Sequence, residues 1–139
     1  MLLSKSFRHD ADASWAAPGR GQTLIIRTHG RQKERRSPQR EDGGWSLPSF
    51  ADWKGDHGKP NDRSRPSDGY ATGLAVYVLR QAGLSTGDER IQRGVTWLKM
   101  QQRESGRWFT HSLNSNKSGY HYISNAGTAF AVMALKACE

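Results

Sequence analysis

From Asp68 onward the apolar positions of this chain recur with a helical period. In DGYATGLAVYVLRQAG, Ala71, Leu74, Ala75, Val78 and Leu79 fall three or four residues apart or adjacent across one face, and Gly83 follows as a stop, which predicts a helix over 68–82. Ile91, Val95, Trp97 and Leu98 mark a second helix over 86–102, with Thr86 and Glu89 three positions apart predicting a capping box at its start. The run SNAGTAFAVMALKAC predicts a third helix, 124–137, whose small and apolar residues on nearly all sides call for burial within something larger. Residues 1–38 carry no sustained period and mix Gly, Pro, Ser and Arg, so they read as loop or disorder. Residues 46–67 form a long polar loop in which Pro48, Pro60 and Pro66 each discourage helix at the residue before them. The polar stretch FTHSLNSNKSGYHYI, beginning at Phe109, is another loop. The predicted fold class is all-α, with a poorly structured N-terminal segment.

This pattern is written twice. QREDGGW at Gln39–Trp45 returns as QRESGRW at Gln102–Trp108, 63 positions later. Downstream, the block Ala71–Arg80 aligns without gaps to Gly127–Lys136 at an offset of 56, with Thr, Ala, Val and Leu matching and a basic residue closing each. Each unit reads heptapeptide, loop, small-residue helix, and the helix 86–102 lies between the two units. Stacked helical hairpins have this signature, because no hairpin buries its apolar face alone and neighbours complete each other's core. Within the heptapeptide the Gln amide can donate to unpaired carbonyls of a helix end or of a neighbouring turn. Glycine supplies a sharp reversal. The Trp covers the joint with a large apolar face, and its N–H seeks an acceptor.

Arg93-Gly94, then Trp97-Leu98, then Gln102, Gly106 and Trp108 resemble the full QW motif of the squalene-hopene cyclase and oxidosqualene cyclase family, shared in looser form with protein prenyltransferase beta subunits. Gln39, Gly43 and Trp45 match its second half. The resemblance covers residues 39–139 and implies an α/α toroid, a ring of inner and outer helices, with 68–82 and 124–137 as inner helices and 86–102 as an outer one. It also implies an outer helix over 25–38. Shifting the 86–102 pattern back by 63 puts Arg31, Gln32, Glu34 and Arg35 where Gly94, Val95, Trp97 and Leu98 stand, so the apolar face is lost there. The domain expectation is therefore a basic, non-homologous leader over 1–38 and a partial cyclase-like repeat domain over 39–139.

Charge follows the same division. The net charge of +8 divides into +6 on residues 1–40 and +2 on residues 41–139, so the basicity belongs to the leader. Binding of nucleic acid through that leader would be electrostatic and steeply salt-dependent. A short arginine-rich run without aromatic interleaving is more often a solvated segment, and nucleic acid is not the favoured partner. Cys138 is the single cysteine, which excludes an internal disulfide, and the five histidines show no ligand spacing. No apolar run approaches the length of a membrane span, and MLLSKSFRHD lacks the apolar stretch of a secretion signal.

The resemblance sharpens the question of catalysis. Triterpene cyclases of this family protonate an alkene or epoxide with an Asp in an Asp-x-Asp-Asp run, inside a cavity whose aromatic faces stabilise cations. No such run occurs in this sequence, and Asp10-Ala11-Asp12-Ala13 lacks the final Asp. Zinc prenyltransferases hold their metal with an Asp-x-Cys pair and a His; Asp68-Gly69-Tyr70 keeps the Asp but has Tyr in place of the thiolate, and Gly127 stands in the place of the His. No metal or other cofactor is expected and no catalytic residue is assigned. Asp68, Tyr70, His111, His121 and Tyr122 are candidates for a cavity or the mouth of a ring, although Asp68 reads first as a helix N-cap and Asp42 beside Gly43 as turn chemistry. A toroid of this family has about six hairpins, each of roughly forty to sixty residues by the range of helical repeats. The chain is thus expected to be a repeat fragment without independent catalysis, associating with the remainder of a toroid or with itself, with an apolar isoprenoid as the implied ligand class. The alternative is part of an active terpenoid cyclase working by carbocation cyclisation.

Overall fold

The computed structural model describes residues 24–25, 36–50, 54, 58–113 and 122–139. Its architecture is helical. Helix α1 spans Gly69–Gln81, α2 spans Glu89–Gln101 and α3 spans Tyr122–Lys136, and a 3-10 turn lies at Leu47–Ser49. Two short strands, β1 (Leu24–Ile25) and β2 (Arg36–Ser37), pair antiparallel within the segment expected to lack regular structure. The other expectations for residues 1–38 lie outside the described residues. Among the described residues no helix is long and apolar enough to cross a membrane.

Local chemistry sets the helix ends. Asp68 caps α1 by accepting the Ala71 N–H at 2.9 Å. The predicted capping box of Thr86 and Glu89 does not form: Asp88 caps α2, accepting the Arg90 N–H at 3.0 Å and pairing with the Arg90 guanidinium at 2.8 Å. Its cause is a tight turn ahead of the helix, in which the Asp88 N–H bonds to the Ser85 carbonyl and the Gly87 N–H to the Ser85 hydroxyl. That turn holds the chain out of helical geometry until Glu89. Helix α3 opens at Tyr122, two residues before the expected Ser124. Ser124 instead sits inside the helix, and its hydroxyl exchanges hydrogen bonds with the backbone of Thr110.

Helices α1 and α3 lie side by side, parallel and in register. Tyr70 meets the Phe130 ring edge-on at 5.0 Å, Gly73 faces the backbone of Phe130 and Ala131, and the Arg80 Nε donates to the Ala137 carbonyl at 2.9 Å. Glycine is required at position 73, since a Cβ there would come within 2.5 Å of the Ala131 nitrogen. Helix α2 packs on the pair and brings Gly94 against Val76 and the Trp45 ring. Trp45, Trp108, Ile91, Leu98, Val76 and the alanines 71, 75, 131 and 134 make one core. Each buried indole removes on the order of 200 Å² from water, a transfer contribution of about 5 kcal/mol.

Within this chain one face of α3 is covered. Ser124, Gly127, Ala131 and Ala134 are buried, whereas Tyr122, Val132 and Met133 are exposed.

Candidate functional site

The residues singled out by the repeat converge on two turns of the same construction. In Gln39–Trp45 the Arg40 N–H bonds to the Gly44 carbonyl at 2.9 Å and the Gly43 N–H to the Arg40 carbonyl at 3.0 Å. In Gln102–Trp108 the corresponding bonds are Arg103 to Arg107 at 3.0 Å and Gly106 to Arg103 at 2.8 Å. Gly43 and Gly106 carry the reversal with φ of 87° and 76°, left-handed values that a side chain resists. The Gln39 amide donates to the Gly43 carbonyl at 2.7 Å and the Gln102 amide to the Gly106 carbonyl at 3.1 Å.

Each Trp is then anchored the same way. The Trp45 N–H donates to the Thr72 hydroxyl at 3.0 Å and the Trp108 N–H to the Thr128 hydroxyl at 3.2 Å, so each turn is tied to the small-residue helix of its own unit. Two residues further on, the Leu47 N–H donates to the Asp68 carboxylate at 2.6 Å, and the Thr110 N–H to the Ser124 hydroxyl at 3.1 Å. Both indoles are buried, at 2% and 1% exposure.

The first turn is also clamped onto α2. Gln39 gives its second amide hydrogen to the Arg90 carbonyl at 2.9 Å, and Arg93 Nη2 donates to the Arg40 and Glu41 carbonyls, each at 2.9 Å. Trp97 Nε1 donates to Asp42 at 3.2 Å, and the other oxygen of that carboxylate accepts from the Gly44 N–H and the Ser67 hydroxyl. Gly94 lets the turn approach, because a Cβ would lie 2.5 Å from Val76 Cγ2 and 3.1 Å from the Trp45 ring. Leu98 contributes its carbonyl, which accepts the Trp108 indole N–H at 2.7 Å.

Asp68 joins both units. It accepts from the N–H groups of Ala71 and Leu47 and from the Thr110 hydroxyl, whose oxygen in turn accepts the Tyr70 N–H. Burial pushes its carboxyl above the ordinary value of 3.8, and the hydrogen bonds from Ala71, Leu47, Thr110 and Tyr70 oppose that rise without cancelling it. These bonds make Asp68 the cap of α1 and a tie to both Leu47 and Thr110.

Tyr70 packs on Phe130, His111 stands edge-on to Phe109 at 4.5 Å, and Tyr122 is exposed at the start of α3. His121 lies outside the described residues. The Arg103 guanidinium lies over the Phe109 ring at 4.7 Å from its centre. Among the described residues no three His, Cys, Asp or Glu side chains cluster closely enough to hold a metal ion.

Sequence reasoning gave Thr72, Thr128 and Thr110 no partner, read Ser124 as the start of the third helix, and treated Asp42 as a turn residue alone. The threonines 72 and 128 do align in the two copies, which is a signal for a shared partner. Nothing local marks Asp42 as the acceptor for an indole 55 residues away. Compared with known protein families, with curated proteins and with solved structures, the chain matches none.

Proposed function

We propose that this chain is a segment of an α/α toroid resembling the squalene-hopene cyclases, acting as a structural or binding repeat module without catalysis of its own. One observation carries this reading. The two units repeat their hydrogen bonds as well as their letters, pairing each turn glycine, each Trp N–H and each helix threonine in the same way. Repeats that reproduce both turn and anchor geometry stack by nearest-neighbour contacts, as a toroid or solenoid does. In this reading α1 and α3 are inner helices and α2 an outer one.

The absence of independent catalysis is supported by what the candidate groups are already doing. Asp68 places its oxygens on backbone and hydroxyl donors of its own chain, and the Tyr70 and His111 rings pack against Phe130 and Phe109. The experiment is incubation of the purified chain with squalene, followed by product analysis. No cyclised hydrocarbon or alcohol is expected, and formation of one, lost in Asp68→Ala, would overturn the reading in favour of an active cyclase.

A further inference from the structure

We propose that the turn Gln102–Arg107, together with the exposed face of α3, is a docking surface for one further repeat unit from outside the residues described. That unit would bring an outer helix bearing Arg-Gly-x-x-Trp and an inner helix of small residues. The inference rests on the repeat-array reading above, and not on the resemblance to cyclases.

The chain shows what such a surface looks like when covered. On α1, Gly69 meets Trp108, Gly73 meets Ala131, Val76 meets Gly94, and Arg80 donates to the Ala137 carbonyl. The offset of 56 carries these four positions to Asn125, Ala129, Val132 and Lys136 of α3, and all four are exposed. Val132 is 54% exposed where its counterpart Val76 is 0%. The turn shows the same contrast. A Cβ on Gly43 would strike the Arg93 carbonyl at 2.8 Å, whereas one on Gly106 would meet only the Gln102 amide at 3.9 Å. Gln39 reaches Arg90 on the next helix, while Gln102 is exposed and reaches only its own turn.

Because the second turn already holds the geometry of the first, the missing partner's chemistry can be read from α2. An arginine at the place of Arg93 would donate to the Arg103 and Glu104 carbonyls, the counterparts of its acceptors at Arg40 and Glu41. A glycine would follow it to let Gly106 approach, and a first-turn carbonyl would accept the Gln102 amide. An inner helix with small residues at three- and four-residue spacing would cover Ala129 as α3 covers Gly73, and the glycine of the outer helix would meet Val132 as Gly94 meets Val76. A second copy of this chain does not meet the requirement. Its α2 is already clamped to its own first turn, and Ala71 and Ala75, counterparts of the α3 residues Gly127 and Ala131 that face α1, are 0% exposed.

The test extends the full chain beyond Glu139 with a second copy of residues 84–139, which preserves the offset of 56. Hydrogen exchange is compared between the parent and extended chains. Docking predicts that amides of residues 103–107 and of α3 slow by about tenfold or more in the extended chain. Val132→Lys in the original α3 removes that slowing and leaves exchange in the parent unchanged. If the parent's three helices are protected and the extension slows nothing, the docking surface is rejected and the repeat packing stands. If the parent's helices lack protection, the repeat reading itself fails and takes the docking surface with it. Sedimentation of the parent as a dimer, with these same amides slowing as concentration rises, overturns the proposal in favour of a second copy.

Discussion

The first and second Gln-to-Trp turns share a backbone and differ in their surroundings. The first lies under α2, with Arg93, the Arg90 carbonyl and Trp97 all closing on it. The second has no helix over it among the described residues, and its Gln, Arg and Glu side chains are exposed. The Trp residues reverse the contrast. Trp108 has its indole N–H paired with the Leu98 carbonyl of the helix that precedes it, whereas Trp45 Nε1 is buried with no partner among the described residues. The offset of 63 carries Leu98 to Arg35, which is outside the described residues. Each turn therefore has half of a complete joint: the first is closed on the side of the following helix, and the second on the side of the preceding one. The lesson is that the turn forms from its own glycine and glutamine, while what it holds is set by its neighbours.

Truncating the anchors tests this comparison most severely. Trp45→Ala and Trp108→Ala should each cost about 3–5 kcal/mol, measured by urea unfolding, because both empty a core site of similar size. Gly73→Leu should cost about 3 kcal/mol by forcing α1 and α3 apart, seen in the same measurement. Were α3 only loosely associated with α1, that substitution would be nearly silent.

Asp68→Ala comes next, at about 2 kcal/mol, since it removes the α1 cap and leaves the Leu47 N–H unpaired. It also has a pH signature. A carboxyl raised above 3.8 in the folded state binds its proton more tightly there than in the unfolded chain. Stability from this group is therefore greatest below 3.8 and declines as pH rises from 3.8 through the raised folded value. Asp88 has the opposite sign: the Arg90 side chain holds its carboxyl below 3.8, so its contribution is lost as pH falls through its folded value. Unfolding midpoints measured across acid pH should lose the declining component in Asp68→Ala and keep the Asp88 component.

Phenylalanine substitutions separate the two indoles by their N–H groups. Trp108→Phe strands the Leu98 carbonyl, whereas Trp45→Phe deletes a donor that has no acceptor among the described residues, so the former should cost about 1–2 kcal/mol more. Equal costs would mean that the Trp45 N–H finds a partner. The smallest effect concerns the glutamines. Gln39→Ala should lower stability by about 1 kcal/mol through loss of the bridge to Arg90, while Gln102→Ala, exposed and bonded only within its turn, should change it by less than about 0.5 kcal/mol. Covering the second turn with a further unit should make the two glutamines equivalent.

Helix existence was legible because it depends on local periodicity. Positions 71, 74, 75, 78 and 79 present one apolar face whatever they pack against, and the observed α1 lies within one residue of the expected bounds at each end. The turns were legible for the same reason, since Gly43 and Gly106 are needed wherever φ is positive. Competition between two local signals misplaced the α2 cap: Thr86 with Glu89 matches the capping pattern, but the turn from Ser85 to Asp88 wins.

The amino-acid sequence alone determined the repeat, the three helices and the reversals, because each follows from side-chain spacing and backbone preference over a few residues. Only the tertiary structure decided that Arg93 would hold the first turn, that Asp42 would accept from Trp97, and that one face of α3 would stay exposed. Those outcomes depend on hydrogen bonds and contacts between segments some fifty residues apart, about 53 and 55 in the two pairs just named. Their geometry exists only once α1, α2 and α3 have packed.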